Sequence, residues 1–173
     1  MGNWDVRLCN LIIPPLAAFH FHIAGLLMSL VQQNAKLNQI LIELGRSLLQ
    51  YVGHCSSWSS RTQATLEQEF PKLVAIQQGH VAQLSTLLTE RRWPVDFGGF
   101  PATYTDLHFL SLSYLSKLIL KNQQAIIAHL EQVQHELVED LEVATLVEEV
   151  LSSERQLTAR LQELTSAGSG AAA

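Results

Sequence analysis

The chain reads as an all-α protein, a four-helix bundle with a long connection between its second and third helices. Three observations predict this. Apolar residues recur at three- and four-residue spacing through four long stretches, which puts them on one face of a helix. The five prolines and nine glycines of the 173 residues cluster in a few places, so long stretches are free of helix breakers. A hydrophobic fraction of 47% against 16% charged residues belongs to a chain with a core to bury, not to a disordered one.

The first stretch places Leu27, Leu30, Leu37, Leu41, Leu44, Leu48, Tyr51 and Cys55 on one continuous face, with Asn34 as its polar break. Gly53 and the serine-rich run from Ser56 to Ser60 predict its end, and the hydroxyls there can cap the next helix. The second seam carries Leu66, Phe70, Leu73, Gln77, His80, Leu84 and Leu87. Pro71 lacks an amide hydrogen, so this helix is expected to kink there or to begin anew with Pro71 in its first turn.

Arg92 to Thr103 holds Pro94, Gly98, Gly99 and Pro101 and is the one clear non-helical connection. Its aromatic residues Trp93, Phe97 and Phe100 predict that it packs down on the helices. The third helix is expected to start at Thr103, with Asp106 completing a capping-box-like pattern, or at Thr105. Its seam runs through Leu112, Leu115, Ile119, Ile126, Leu130, Val133 and Leu137. The fourth begins near Glu142 and aligns Val147, Val150, Glu154, Leu157, Leu161 and Leu164. Residues 165–173 have no pattern and are expected to fray.

Four such segments span about 35–50 Å at 1.5 Å per residue. Each exposes one apolar stripe, and burying all four against one another makes a bundle over residues 31–164. Short links predict that helices one and two, and three and four, are antiparallel pairs. The middle link can reach almost ~40 Å at ~3.3 Å per residue, so helices two and three are either parallel and joined by a crossover or antiparallel with a slack loop.

A net charge of −5 and no basic stripe argue against a nucleic-acid partner. Cys9 and Cys55 stand far apart without a CxxC context, so no disulfide framework is expected and a reducing, cytoplasmic setting is the default. From Leu8 to Ala35 there is no charged residue. Residues 1–30 read as an apolar lead-in or an extension of the first helix. The alternative is membrane association or export through residues 8–35, against which stand Pro14, Pro15, His20 and His22.

Polar residues on an apolar seam carry the chemical information, because burial costs free energy unless they are paired or bind something. Gln77 and His80 lie on the second seam, Glu154 lies on the fourth, and Asn122 and Gln123 interrupt the third. Glu43 sits beside the first stripe. His129 and His135 are expected to face solvent or a hydrogen-bond partner, His108 to open the third helix, and the His20-x-His22 pair to lack a third ligand. The acids Glu136, Glu139, Asp140, Glu142, Glu148 and Glu149 read as a solvated face at the positive end of the fourth helix. No Ser-His-Asp elbow, P-loop or dinucleotide fingerprint occurs.

With its short-long-short links and i,i+3 polar pairs, and with the stretches FPATYTDLHFLSLSYLSKLI and LLQYVGHCSSW, the chain resembles the ferritin-like superfamily, in particular its small bacterial members. The resemblance covers Val31 to Leu164. It implies inner positions filled by a Glu from each of two helices and a Glu-x-x-His from each of the other two. Carried over, His80 and Glu154 match, Gln77 replaces a Glu, Leu157 replaces a His, and Asn122 or Gln123 replaces the third-helix Glu. Only Glu43 is available on the first helix. Neutral amides cannot balance the charge of two oxidised metals.

Gln77, His80, Asn122 and Glu154 are therefore expected as a buried polar cluster at a degraded metal site, with no resident cofactor. The resulting expectation is a non-catalytic binding, structural or oligomerising module, homo-oligomeric through its helix faces. The alternative is an iron- or manganese-dependent oxidoreductase or iron-handling protein, with His80 and Glu154 joined by His54 or Glu43.

Overall fold

A computed structural model describes residues 16–54, 64–107, 110–137 and 140–170, with side chains from Leu30 to Ala167. Contacts divide the chain into a unit ending at Gln32 and a unit beginning at Gln33. The described part of the first unit is helical from Leu16. Among the described residues no helix is long and apolar enough to cross a membrane. Cys9, Cys55, His108, Glu139 and the serine-rich link lie outside the described residues, as do the side chains of His20 and His22.

The described chain is all-helical: α1 (Leu16–Gly45), α2 (Leu48–Gly53), α3 (Ala64–Glu90), a 3-10 turn (Ala102–Leu107), α4 (Leu112–Glu136) and α5 (Leu141–Gly170). The expected first helix is thus two. Ser47 leaves helical geometry with φ −62° and ψ 159°, and its Oγ accepts the Gln50 amide at the start of α2. That is the behaviour of an N-cap, and Ser is among the residues best suited to it. The periodicity does not register this break, because Leu44 and Leu48 keep four-residue spacing across it.

The second unit buries two apolar clusters. One joins Leu37 to Leu44 of α1 with Leu84, Leu87 and Leu88 of α3, Ile126 to Val133 of α4, and Val143 to Leu151 of α5. The other joins Leu48 to Val52 of α2 with Leu66 to Val74, Leu112 to Ile119, and Leu157 to Leu164. A fully buried leucine contributes about 1.5–3 kcal/mol, so these seams, more than helix propensity, hold the helices.

The order in which each helix meets the clusters gives its direction. α1–α2 and α5 run from the first cluster to the second and the reverse holds for α3; α4, like α3, starts at the second cluster. Helices α3 and α4 are therefore parallel, and the segment between them is a crossover. This decides the alternative that loop length left open.

Every seam residue expected on α3, α4 and α5 is buried. α3 runs through Pro71 without interruption, so no new helix begins there. α4 starts at Leu112 with Ser111 as its N-cap; Thr103 and Thr105 lie instead in the 3-10 turn, where Thr105 Oγ1 donates to the Ala102 carbonyl at 2.7 Å. The crossover thus runs from Arg91 to Ser111. α5 continues to Gly170, past the point where fraying was expected.

Capping, hydrogen bonds and ring packing hold the crossover. The α3 C-terminus closes with Trp93 N donating to Leu88 O and Arg92 N to Thr89 O, both at 2.9 Å, with Arg92 left-handed at φ 55°, the pattern of a Schellman cap. Asn38 Oδ1 accepts the Asp96 amide at 2.9 Å. Arg46 Nε donates to the carbonyls of Phe97 and Gly98 at 2.8 and 3.0 Å, and its guanidinium lies 4.8 Å from the Phe100 ring centre. Phe100 and Tyr104 each pack on Tyr51 with ring centres 5.3 Å apart. Trp93 packs on the first cluster and Phe100 packs as expected, whereas Phe97 stays 47% exposed and contributes its carbonyl rather than its ring.

Candidate functional site

Wherever the chain passes from one apolar cluster to the other along a helix or across the α1–α2 junction, a polar residue falls between them. Ser47 lies between Leu44 and Leu48, Gln77 and His80 between Val74 and Leu84, Gln123 between Ile119 and Ile126, and Glu154 between Leu151 and Leu157. All five are buried, and Gln77, Gln123 and Glu154 have no exposed surface. The result is a polar layer across the middle of the core.

Gln77 is its hub. Its Oε1 accepts from Ser47 Oγ at 2.5 Å and from Gln50 Nε2 at 3.3 Å. Its Nε2 donates to Glu154 Oε2 at 3.1 Å and to Gln123 Oε1 at 3.3 Å. One amide thus fills all four of its hydrogen-bonding positions and links α2, α3, α4, α5 and the α1–α2 junction. Gln50 Nε2 also donates to the Val74 carbonyl at 3.0 Å.

His80 completes the layer. Its Nδ1 stands 2.7 Å from Glu154 Oε1 and its Nε2 2.9 Å from Ser153 Oγ. With Nδ1 donating to the carboxylate, Nε2 accepts the Ser153 hydroxyl when the ring is neutral and donates to it when the ring is charged. Each Glu154 oxygen therefore has a protein partner, as a fully buried carboxylate requires. Gln123 Nε2 and Thr158 Oγ1 are buried without a partner among the described residues.

Three of the four expected residues, Gln77, His80 and Glu154, come together. Asn122 does not join them. It is half-buried on the adjacent face of α4, where its Oδ1 accepts the Leu48 amide at 2.9 Å, so it satisfies the open end of α2; Gln123 takes the α4 position in the layer. Glu43 also lies elsewhere, with Oε2 2.7 Å from His129 Nδ1, and His54 is exposed at the end of α2. The seam spacing contained the signal for Gln123, four residues after Ile119 and three before Ile126. Ser47 and Gln50 were missed because the break in the first helix was missed.

The layer's donor set is one carboxylate, one imidazole, two carboxamides and a hydroxyl. A pair of oxidised metals needs several anionic ligands, and these residues do not supply them. Among the described residues no group of three or more His, Cys, Asp or Glu side chains is placed to hold a metal ion.

A second polar feature lies outside the core. A cleft of about 420 Å³ opens between α1, the crossover and α4, lined by Ile42, Arg46, Tyr104, Ala125, Ile126 and the Glu43–His129 pair. Burial raises the Tyr104 phenol above its ordinary value. The acids near the α4–α5 turn are not only a solvated face. Arg91 at the end of α3 reaches Asp140 and Glu142, each at 2.8 Å, and Glu136 pairs with Lys36 of α1.

The chain matches no family model, and no curated protein or solved structure is significantly similar to it.

Proposed function

We propose that the chain is a ferritin-like four-helix bundle in which a hydrogen-bonded polar layer stands where a di-iron centre would lie, and that it acts as a non-catalytic binding module. Counting α1–α2 as one broken helix, the parallel α3 and α4 with their crossover give the one-crossover topology of that superfamily. The observation that carries the reading is that Gln77, Glu154 and His80, the three residues at the centre of the layer, have every side-chain polar atom engaged, while Gln123 Nε2 has no partner among the described residues. Gln77 uses all four hydrogen-bonding positions on protein groups, and both Glu154 oxygens and both His80 nitrogens are engaged. A metal would have to displace these bonds in exchange for a single negative charge.

In this reading the layer has two roles. It fixes the axial register of the helices, because sliding any one of them would leave buried polar groups unpaired. It also leaves binding to the outer surface of the bundle. The test is metal analysis of full-length protein purified without chelator. Iron and manganese far below one atom per chain, unchanged by His80→Ala, support the proposal. Stoichiometric metal that is lost on His80→Ala overturns it and makes the protein an iron- or manganese-dependent oxidoreductase or iron-handling protein with atypical ligands.

A further inference from the structure

The cleft beside the crossover has the features of a small-molecule site, and none of its residues belongs to the polar layer except Ser47 at its edge. Its volume of about 420 Å³ lies within the ~300–1,000 Å³ typical of ligand pockets. Ile42, Ala125, Ile126 and Pro101 supply its apolar lining. The polar groups in the lining differ in how far their hydrogen bonding is already used.

Both Glu43 oxygens have partners, Oε1 receiving Gln39 Nε2 at 3.2 Å and Oε2 standing 2.7 Å from His129 Nδ1. Arg46 is the contrasting case. Its Nε is committed to the Phe97 and Gly98 carbonyls and its face to Phe100, so the guanidinium is held in place. Neither Nη has an acceptor among the described residues. The free edge of a fixed guanidinium is a fork of two donors that matches a carboxylate. The Tyr104 hydroxyl and His129 Nε2 likewise have no partner among the described residues and can add further hydrogen bonds.

We infer that this cleft binds a small monocarboxylate with an apolar body, its carboxylate on the Arg46 Nη edge and its hydrocarbon or ring against Ile42, Ala125 and Ile126. The site joins α1, the crossover and α4, so an occupied cleft also fastens the crossover. Two of the three elements are placed by Arg46 itself, which makes the same side chain both latch and recognition group. A cationic amine is disfavoured at the Arg46 edge, where like charges would face each other.

The test is a titration of the full-length chain, followed by amide and methyl NMR, with phenylacetate, isovalerate and hexanoate and with the primary amide of each. At least one acid is expected to give saturable shifts centred on Ile42, Ala125 and Ile126, and its amide to bind about tenfold or more weakly, since a charge-assisted bond is lost. Arg46→Met is expected to lose the preference for acid over amide. Because Arg46 also holds the crossover, Ala125→Trp provides a second variant. It fills the cleft from an exposed helix position and should abolish binding with an unchanged far-ultraviolet spectrum. No saturable binding by any acid, equal binding of acid and amide, or full binding by folded Ala125→Trp overturns the assignment.

Discussion

His80 Nδ1 lies 2.7 Å from Glu154 Oε1 at a depth where the carboxylate has no exposed surface and the imidazole side chain only 9%. The pair joins α3 to α5 between two apolar clusters. Its free energy therefore depends on both partners being present. Removing one partner of a buried pair costs about 3–5 kcal/mol, whereas replacing both by apolar groups is often neutral. His80→Ala and Glu154→Ala should each lose stability on that scale in urea unfolding. The double variant His80→Leu/Glu154→Leu should be more stable than either single one. A double variant no better than the worse single would show that the pair is not the source of the cost.

The break between α1 and α2 makes a smaller and separate prediction. Ser47 Oγ accepts the Gln50 amide and donates to Gln77, while Asn122 Oδ1 accepts the Leu48 amide. Loss of an N-cap costs about 0.5–2 kcal/mol. Asn122→Ala should fall in that range, and Ser47→Ala at its upper end because a buried acceptor on Gln77 also loses a donor. Equal, negligible effects at both positions would contradict the cap geometry.

Two left-handed residues of the crossover should respond in opposite senses. Arg92 has φ 55°, so Arg92→Gly relieves strain and should stabilise by about 0.5 kcal/mol. Gly98 has φ 59°, and a Cβ there would stand 2.7 Å from Ile42 Cγ2. Gly98→Ala should destabilise by about 1 kcal/mol or more and speed proteolytic nicking between residues 91 and 111. Opposite signs are the checkable outcome.

Acid should weaken the ion pairs around the α4–α5 turn. A hydrogen bond from Arg91 holds the Asp140 carboxyl below its ordinary value, and one from Lys36 does the same for Glu136. In both cases the folded value is lower than the unfolded one. The stabilisation is thus complete above the ordinary carboxylate range and is lost as pH falls through the lowered values. Urea midpoints measured from neutral pH to about pH 3 should therefore fall less steeply in Arg91→Met and Lys36→Met than in the parent. Parallel slopes would remove both ion pairs from the account.

What could be read from sequence was what periodicity encodes. The seams of α3, α4 and α5 were legible residue by residue, including the polar Gln77, His80 and Glu154, because burial on a helix follows a fixed angular step. The helix ends were not. Thr103, Thr105 and Ser111 are all plausible N-caps by type, and the choice fell to Ser111 because Tyr104, Leu107 and Leu110 pack on the second cluster, a tertiary fact. The break at Ser47 was hidden for a related reason, since the apolar spacing continues across it. Missing that break hid Ser47 and Gln50 and left Glu43 as the only candidate on the first helix. The cleft beside the crossover had no signature in sequence, because its lining is assembled from three elements.

The central claim is that protein hydrogen bonds, not a metal, fill the middle of the core. Anything that binds the folded state alone raises its stability, by about 2.7 kcal/mol at a hundredfold excess over Kd. Thermal unfolding of the full-length chain should therefore be compared in chelator and in ~1 mM manganese(II), with anaerobic iron(II) as a second ion. The account predicts superimposable curves, for the parent and for Glu154→Gln alike. A rise in midpoint of several degrees with either ion, abolished by Glu154→Gln, would contradict it.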